Sequence, residues 1–367
     1  MKRVAILTPK SSDKVETFIK NHIDYLPFEK VIIYGGNKPY LLEGEKENIL
    51  SKRFFVLKNK IRKVLKLNLQ DYRDYSLRKI LKNKKIDLVF AEYLVTAAET
   101  LEVIKSLDIP LVTIALGYDI SIYNILEKYK VKYVSLCEYA SSIIVVSKHM
   151  SINLKSFNCP EFKIHYSPAS PEKSFFEVQP HFQNKQLIAV GRFVEKKAPL
   201  VLINVFNLVC KSVPDANLIM AGDGPLLDRA KELAKDLNLE NKIFFPGRIS
   251  QETQKQYLED SFVFVQHSLL APNGDSEGTP VAILEASAAS LPIVSTHHAG
   301  IPNVVLHEHT GLLSKENDIE TMAKNIIGIL KSKDKAVIYG KNGKEFIQNN
   351  FSLEKHISDI TNIINLV

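Results

Sequence analysis

Two basic side chains lie in a short loop between a strand pattern and a helix pattern. The loop covers Gly191–Ala198, its candidate anion-binding cations are Arg192 and Lys197, and a helix is expected to begin at Pro199. Glycine allows a tight turn at the end of the strand. Fixed cations and the free N–H groups of a helix N-terminus both attract anions. The pattern therefore indicates a diphosphate site, with simple solvation of the basic residues as the alternative.

Two glutamates eight residues apart, Glu277 and Glu285, mark a second loop and the helix after it. Between them, Gly278 and Thr279 would present backbone N–H groups at a helix start near Pro280, directed at an anion or at sugar hydroxyls. Glu285, about a turn and a half into that helix, is suited to accepting hydrogen bonds from a ribose diol. The alternative is a surface helix whose dipole favours an acid near its start.

Three other features are interpreted as structural. The turn Gly222–Pro225 lacks the lysine and the spacing of a phosphate-binding P-loop. The adjacent His297 and His298 have no third ligand at a metal-binding spacing, so they are expected to be loop histidines, and no metal is predicted. The three cysteines are scattered without disulfide or metal spacing, which indicates a reducing, cytoplasmic compartment.

The elements that position these loops form two successive arrays of alternating strands and helices. Short β-branched runs are predicted as buried parallel strands at residues 4–7, 31–34, 88–91, 111–114 and 143–146, and then at 186–190, 217–221, 243–245, 263–266 and 292–295. A polar, proline-containing stretch between the arrays predicts a linker. The hypothesis is an α/β protein with two Rossmann-like, doubly wound domains, residues 1–175 and 184–345, facing each other across a cleft.

The positive charge of the chain is concentrated in one segment. The formal net charge is +7. Between residues 52 and 85 lysines and arginines are frequent, and the only acidic residues are Asp71 and Asp74. Apolar residues at helical spacing interrupt the cations, which predicts an amphipathic helix on an anionic membrane surface, each cation contributing about 1 kcal/mol. The alternative is a solvated helix packed on its own domain. A nucleic-acid partner is not expected, because no binding module is recognisable.

The loops, taken in order, resemble glycosyltransferase family 4, a group of retaining enzymes with the GT-B fold. The run from Glu277 to Glu285 is similar to the E-x7-E signature of that family, and Gly191–Lys197 is similar to its G-R-x-x-x-K-K segment. Gly222–Pro225 and Phe245–Gly247 match the G-x-G-P and F-x-G steps between them. The sequence around the E-x7-E run is similar to that of family members that build exopolysaccharide, capsule or lipopolysaccharide.

The resemblance implies a role for each matching residue. Residues 1–175 would bind a lipid-linked or saccharide acceptor. Residues 184–345 would bind a nucleotide-sugar donor, which is expected to be a UDP- or GDP-sugar. A helix at 346–367 would return to the first domain. Arg192 and Lys197 would bind the diphosphate and stabilise its developing charge, without a metal or another cofactor. The donor sugar, ribose and base would be held by Glu277, Gly278, Thr279, Pro280 and Glu285, with Gly191, Gly247 and Arg248 at the border of the donor site.

The first half departs from the family pattern. Leu116-Gly117-Tyr118-Asp119 stands where H-G-x-D is usual, so the histidine is absent, and Glu16 and Thr17 lie in a loop where many members have two glycines. Glu16, Thr17, Gly117 and Asp119 are therefore the candidates for the acceptor and donor-sugar side. Two alternatives stay open: a sugar-nucleotide epimerase of the same fold, and an inactive glycosyltransferase-like partner subunit, which the loss of the histidine favours.

Overall fold

The computed structural model describes residues 1–45, 49–64 and 71–367, without the side chains of residues 49–52, 54 and 64. Lys66 and the side chain of Lys52, which belong to the predicted basic segment, therefore lie outside the described residues. Helices occupy the described backbone on either side of this gap, at Ile49–Val64 and Tyr72–Asn83.

Strands of apolar, largely β-branched residues build the sheet of the first domain. Their bounds are β1 Arg3–Thr8, β2 Glu29–Tyr34, β3 Leu41–Leu42, β4 Leu88–Glu92, β5 Leu111–Ala115, β6 Ser142–Val145 and β7 Ile164–Tyr166. The order across the sheet is β3-β2-β1-β4-β5-β6-β7, and only the short β3 is antiparallel to its neighbour among the described pairings. The continuous apolar runs arise because helices cover both faces of a parallel sheet.

The covering helices of this domain follow the strands in alternation. They are α1 Thr17–Tyr25, α2 Ile49–Val64, α3 Tyr72–Asn83, α4 Leu94–Lys105, α5 Tyr118–Ser121, α6 Tyr123–Tyr139 and α7 Lys148–Lys155. The predicted strands agree with the structure to within about two residues at each end, whereas β3, β7 and a strand of the second domain, Gly311–Ser314, were not predicted. All three are short edge strands, and so few residues give little periodicity to detect.

The second domain repeats the plan with an entirely parallel sheet. Its elements are β8 Gln186–Val190, α8 Pro199–Ser212, β9 Asn217–Ala221, α9 Leu227–Asp236, β10 Ile243–Gly247, α10 Gln251–Asp260, β11 Val263–Val265, α11 Val281–Ala288, β12 Ile293–Thr296, β13 Gly311–Ser314, α12 Ile319–Leu330 and α13 Lys333–Asn350. The strand order is β10-β9-β8-β11-β12-β13. The order reverses between β8 and β11, and ligands of doubly wound sheets bind at that point, beyond the carboxyl ends of the strands.

Each domain has its own hydrophobic core, and the chain crosses between them twice. Phe175, at the end of the predicted first domain, packs in the core of the second. The last helix, α14 Leu353–Asn365, places Ile360, Ile363 and Ile364 in the core of the first domain. Ser352 caps this helix: its side chain accepts the N–H of Lys355. The predicted α/β architecture of two doubly wound domains is confirmed.

Candidate functional site

The first predicted loop follows β8 and is fixed by contacts with the next strand's loop. The N–H of Gly191 donates to Ala221 O at 2.9 Å. Gly222 has φ +143°, and a Cβ there would lie 1.8 Å from Gly191 O, so this position requires glycine for a close backbone approach. Gly222 is therefore a packing residue, in agreement with its interpretation as a structural turn. Ala198 adopts a left-handed φ of +40° at the start of α8.

Lys197 turns back from this loop and meets the second predicted loop. Its Cε lies 3.5 Å from where a Cβ on Gly191 would be, and its Nζ is 3.2 Å from Glu277 Oε1. The distance is that of an ion pair, although the atoms do not have hydrogen-bond geometry. The side chains are only 17% and 6% exposed. A cation from the β8 loop and a carboxylate from the β11 loop therefore meet at the point where the strand order reverses.

The charges of this pair are set by burial and by neighbouring cations. Burial lowers the pKa of Lys197, as do the nearby charges of Lys196 and Arg192. Burial works against ionisation of Glu277, but the Lys197 and Lys196 cations outweigh it and hold the pKa of Glu277 below its usual range. Arg192 itself is exposed beside Lys197. The site thus presents excess positive charge toward solvent, as an anionic ligand requires.

Three residues that support Glu277 were not predicted from the sequence. Lys196 is buried, and its Nζ contacts Asp275 Oδ1 at 2.9 Å and Ser276 O at 3.1 Å. His298 accepts the N–H of Glu277 on Nε2 at 3.2 Å, and its Nδ1 lies 2.6 Å from Glu316 Oε1. His298 is thus a loop histidine, as expected, but it belongs to the site. Among the described residues, no group of three His, Cys, Asp or Glu could hold a metal ion.

Gly278 and Thr279 lie where the two domains touch. A Cβ on Gly278 would be 2.8 Å from Met150 Cε and 3.1 Å from Val146 Cγ2, and the hydroxyl of Thr279 donates to Val146 O. Within the described part of the chain, the backbone N–H groups of Gly278 and Thr279 have no protein acceptor. Pro280 follows as the residue before α11. Free backbone donors therefore lie just before α11, beside Glu277 and at the carboxyl end of β6.

Glu285 lies further along α11 and faces a larger cavity. Glu285 is the fifth residue of α11, about 6 Å along the helix axis from Val281. Glu285 Oε2 accepts from Gln254 Nε2 at 2.7 Å, and burial raises the pKa of Glu285 to about 7. The cavity, of about 850 Å³, lies between the domains and is lined by α1, α11, α14 and the linker, with Thr17, Val281 and Glu285 among its residues.

Arg192 and Lys197 line a different, small cavity at the ends of β8, β9 and β11, together with Gly191 and Phe193. The two cavities share none of their lining residues. The structure thus brings Arg192, Lys197, Glu277 and Gly278 together at one end of α11. It places Glu285 one and a half turns away on the same helix, in the larger cavity.

Gly247 and Arg248 border this region from β10. Gly247 has φ +73°, and its carbonyl accepts the N–H of Gly222 at 2.8 Å. The guanidinium of Arg248 lies 3.3 Å from Asp223 Oδ2, and the side chain is 84% exposed. Gly247 therefore shapes the loop floor, while Arg248 extends into solvent beside it.

The predicted residues of the first domain divide into two groups. Glu16 and Thr17 are exposed at the start of α1, where Glu16 pairs with Lys10 at 2.8 Å. Asp119 is fully buried, and its carboxylate accepts the N–H groups of Leu94, Leu116 and Gly117 at 2.8, 3.1 and 2.9 Å.

The prediction that Asp119 contacts a sugar is therefore corrected. The carboxylate is enclosed by backbone donors and holds the turn that contains Gly117. Its oxygens are occupied in the folded protein, so it organises the loop instead of binding a ligand. Gly117, by contrast, has open space where a Cβ would be, with no atom within 4 Å.

The two facing doubly wound domains, with the site at the ends of β8 and β11, define the GT-B fold of glycosyltransferases. Anabaena HepE, solved in complex with UDP-glucose, superposes with a TM-score of 0.75 over 100% of both chains at 14% identity. Sucrose-phosphate synthase from Thermosynechococcus elongatus gives a TM-score of 0.75 over 100% of this chain and 99% of that one at 17% identity. At these identities the similarity shows the fold.

Residues 171–346 match the family model described as "Glycosyl transferases group 1". The amylovoran biosynthesis glycosyltransferase AmsK of Erwinia amylovora is 32% identical over 241 residues, which are 65% of this chain and 59% of that protein. The putative colanic acid biosynthesis glycosyltransferase WcaL of Escherichia coli K12 is 29% identical over 244 residues, 65% and 60% of the two chains. The aligned region thus spans about three fifths of each relative's length.

Proposed function

We propose that this protein is a retaining glycosyltransferase that moves a sugar from a nucleotide-sugar donor to an acceptor in the synthesis of a cell-surface polysaccharide. The observation that carries the proposal is the buried contact between Lys197 and Glu277 beside the free N–H groups of Gly278 and Thr279. Two relatives with biosynthetic names of this kind, and a neighbour of the same fold solved with UDP-glucose, support the class of reaction.

The proposed chemistry follows from where negative charge develops. Cleavage of the bond between the sugar and the diphosphate leaves the bonding electrons on the phosphate oxygen. Lys197 has N–H groups beyond its contact with Glu277, and Arg192 is exposed next to it, so both can donate to that oxygen or its neighbours. Hydrogen-bond donors that are fixed before the reaction bind the developing charge more strongly than they bind the intact nucleotide sugar. Removing one such hydrogen-bond donor commonly costs ~100–1000-fold in rate.

The rest of the donor would extend along α11. A diphosphate at the N–H groups of Gly278 and Thr279 places the ribose one to two turns further on, near Glu285. Val281 and Glu285 are four residues apart and therefore lie on one face of the helix, and both line the large cavity between the domains. The base would then lie toward Gly247 and Arg248. The proposal assigns no metal, because the fixed cations supply the positive charge.

The acceptor would approach from the first domain. Glu16 and Thr17 are exposed at the start of α1, and Gly117 leaves its backbone open to a ligand. Leu116 stands where the family has histidine, and its carbonyl oxygen lies 3.6 Å from the Cβ position of Gly278. The donor sugar would therefore meet backbone groups at this place instead of an imidazole.

Donor binding is tested first by thermal shift with UDP-, GDP-, ADP- and CMP-sugars, since a ligand that binds the folded state stabilises it by mass action. We expect a UDP- or GDP-sugar to raise the melting temperature, and Arg192→Ala to abolish most of that increase. The matched control is Arg229→Ala, at an exposed arginine on α9. If none of the nucleotide sugars stabilises the wild type, the proposal is wrong.

Product analysis with a labelled acceptor then separates the reaction classes. Transfer yields a glycosylated acceptor and free nucleoside diphosphate, whereas an epimerase changes the sugar without consuming acceptor. An inactive partner subunit would bind nucleotide and form neither product. In cells, loss of polymer in both Arg192→Ala and Glu285→Ala strains is expected, and normal polymer in both would favour the inactive subunit.

We also propose that the protein works on an anionic membrane surface through α2. Arg53, Val56, Leu57, Lys60 and Ile61 recur at spacings of three and four and form one exposed stripe, with the three apolar side chains 50–55% exposed. Basic residues interspersed with exposed apolar residues suit a surface of acidic lipids. Within the described residues, no helix is long and apolar enough to cross a membrane.

Vesicle flotation tests this surface. We expect binding to vesicles that contain phosphatidylglycerol and little binding to phosphatidylcholine alone, with loss of binding in Leu57→Ser/Ile61→Ser and at high salt. Val131→Ser, at an 81% exposed valine on α6, is the control and should bind as the wild type does. Equal binding of both variants would refute the role of α2.

A further inference from the structure

The loop between β11 and α11, residues 266–280, has to be held in place from outside. It has no regular secondary structure, yet it carries Glu277 and the free donors of Gly278 and Thr279. One anchor is Lys196, which contacts Asp275 and Ser276. A loop of this length keeps one conformation only when side chains from the scaffold bind its backbone.

The second anchor is a carboxylate that binds the loop near both ends. Glu316 Oε2 accepts the N–H of Leu270 at 3.0 Å, near the start of the loop. Glu316 Oε1 lies 2.6 Å from Nδ1 of His298, whose Nε2 accepts the N–H of Glu277 at 3.2 Å near the loop's end. One side chain therefore fixes the start of the loop directly and its end through an imidazole.

This geometry sets the tautomer of His298. Its Nε2 accepts a hydrogen bond from a backbone N–H and therefore carries no proton, so the proton resides on Nδ1 and is donated to Glu316. The ring is 3% exposed, so solvent does not compete for either nitrogen. Gly300, two residues later, packs against the same loop: a Cβ there would be 1.8 Å from Gly278 O.

We propose that His298 and Glu316 are positioning residues for the donor site. They fix the backbone at Glu277, and thereby the contact between its carboxylate and Lys197 and the direction of the Gly278 and Thr279 N–H groups. The identity of the ligand rests on the proposed function, whereas the positioning of the loop does not. Neither residue touches the ligand in this scheme: His298 acts through Glu277, and Glu316 acts through His298 and through Leu270.

Amide hydrogen exchange tests the loop without any ligand. In His298→Ala, the Glu277 amide loses its acceptor, and we expect its exchange to rise about tenfold. His298→Gln keeps an acceptor near the position of Nε2 and should restore most of the protection. The matched control is His307→Ala: His307 also accepts a backbone N–H on its ring, from Leu313 at 3.0 Å, but at β13. Unchanged exchange at Glu277 in His298→Ala overturns the proposal.

A double-variant cycle separates positioning from general stability. With the nucleotide sugar that stabilises the wild type, we expect His298→Ala to lower kcat at least about tenfold while KM changes less than about threefold. In a Glu277→Gln background, His298→Ala should cause little further loss of kcat, because both act on one element. Independent, multiplying losses would overturn the proposal. If the wild type binds no nucleotide sugar, the proposed function fails, and the exchange experiment alone decides whether His298 positions the loop.

Discussion

Replacing Lys197 with methionine removes one charge from a buried ion pair while keeping most of the side-chain stem. The Nζ of Lys197 lies 3.2 Å from Glu277 Oε1, and the two side chains are 17% and 6% exposed. Breaking a buried pair by removing one partner costs ~3–5 kcal/mol, because the other charge stays buried. Since Lys196 still lies nearby, we expect the lower end, about 3 kcal/mol. For a domain of this size that corresponds to a fall in melting temperature of about 6–12 °C.

The assay is thermal unfolding of Lys197→Met beside a matched lysine variant. Lys185 pairs with Asp215 at 2.9 Å on the surface, with 37% and 66% of the two side chains exposed. Lys185→Met should therefore cost less than about 1 kcal/mol. The double variant Lys197→Met/Glu277→Gln removes both charges and should recover most of the lost stability.

The stability lost in Lys197→Met should depend on pH, in a direction that the pKa of Glu277 sets. In the wild type the pKa of Glu277 is lowered, so the stabilisation by the pair is present above the unfolded pKa and is lost as pH falls through the folded value. Without Lys197, one of the cations that oppose the effect of burial is gone, so we expect the pKa of Glu277 to rise. Protonation then relieves the buried charge more readily, and the deficit of Lys197→Met should be smaller at pH 5 than at pH 8. Equal melting temperatures for Lys197→Met and Lys185→Met, or no recovery in the double variant, would refute this reasoning.

Four further predictions concern the residues around the site. Burial raises the pKa of Glu285 to about 7, so the ionised form that accepts from ribose grows as pH rises from 6 to 8; nucleotide affinity measured by calorimetry should increase over this range, and Glu285→Gln should remove that dependence. The same raised pKa means that Glu285 favours folding at low pH and loses this contribution as pH rises toward 7, which urea titrations of wild type and Glu285→Gln would detect. Asp119→Asn loses one of the acceptors for three backbone N–H groups and should destabilise the protein by about 1–3 kcal/mol in urea unfolding, with Asp87→Asn as a surface comparison. Gly300→Ala would place its Cβ 1.8 Å from Gly278 O, so nucleotide affinity should fall at least about tenfold, and unaltered affinity would show that the loop can move aside.

The secondary structure of both domains could be predicted from the sequence because its causes are local. Buried parallel strands are continuous apolar runs, and the predicted strand at residues 217–221 coincides with β9. Two such arrays in succession allow few arrangements other than two doubly wound sheets. The loops after β8 and β11 could be selected for the same reason, since glycine, proline and charged residues at strand ends stand out from the apolar pattern.

The partners of the charged groups depended on the tertiary structure. Lys196 and Lys197 are adjacent in sequence, yet Lys196 pairs with Asp275 and Lys197 contacts Glu277. The path of the short 3-10 turn at Glu195–Lys197 decides which carboxylate each lysine meets. Nothing in the sequence distinguishes Asp119 from an exposed aspartate. Only the fold shows that its carboxylate is buried and accepts backbone N–H groups.

The sequence by itself determined the two sheets and the loops at their ends, because hydrophobic periodicity and turn residues act over a few positions. Only the tertiary structure decided that His298 and Glu316 support Glu277 and that Gly278 meets Met150 of the other domain. These contacts join residues 18 to about 130 positions apart, and such pairings are set by how strands order themselves in a sheet and how two sheets face each other. No local pattern encodes them, since each partner is an ordinary loop residue until the fold brings it to its place.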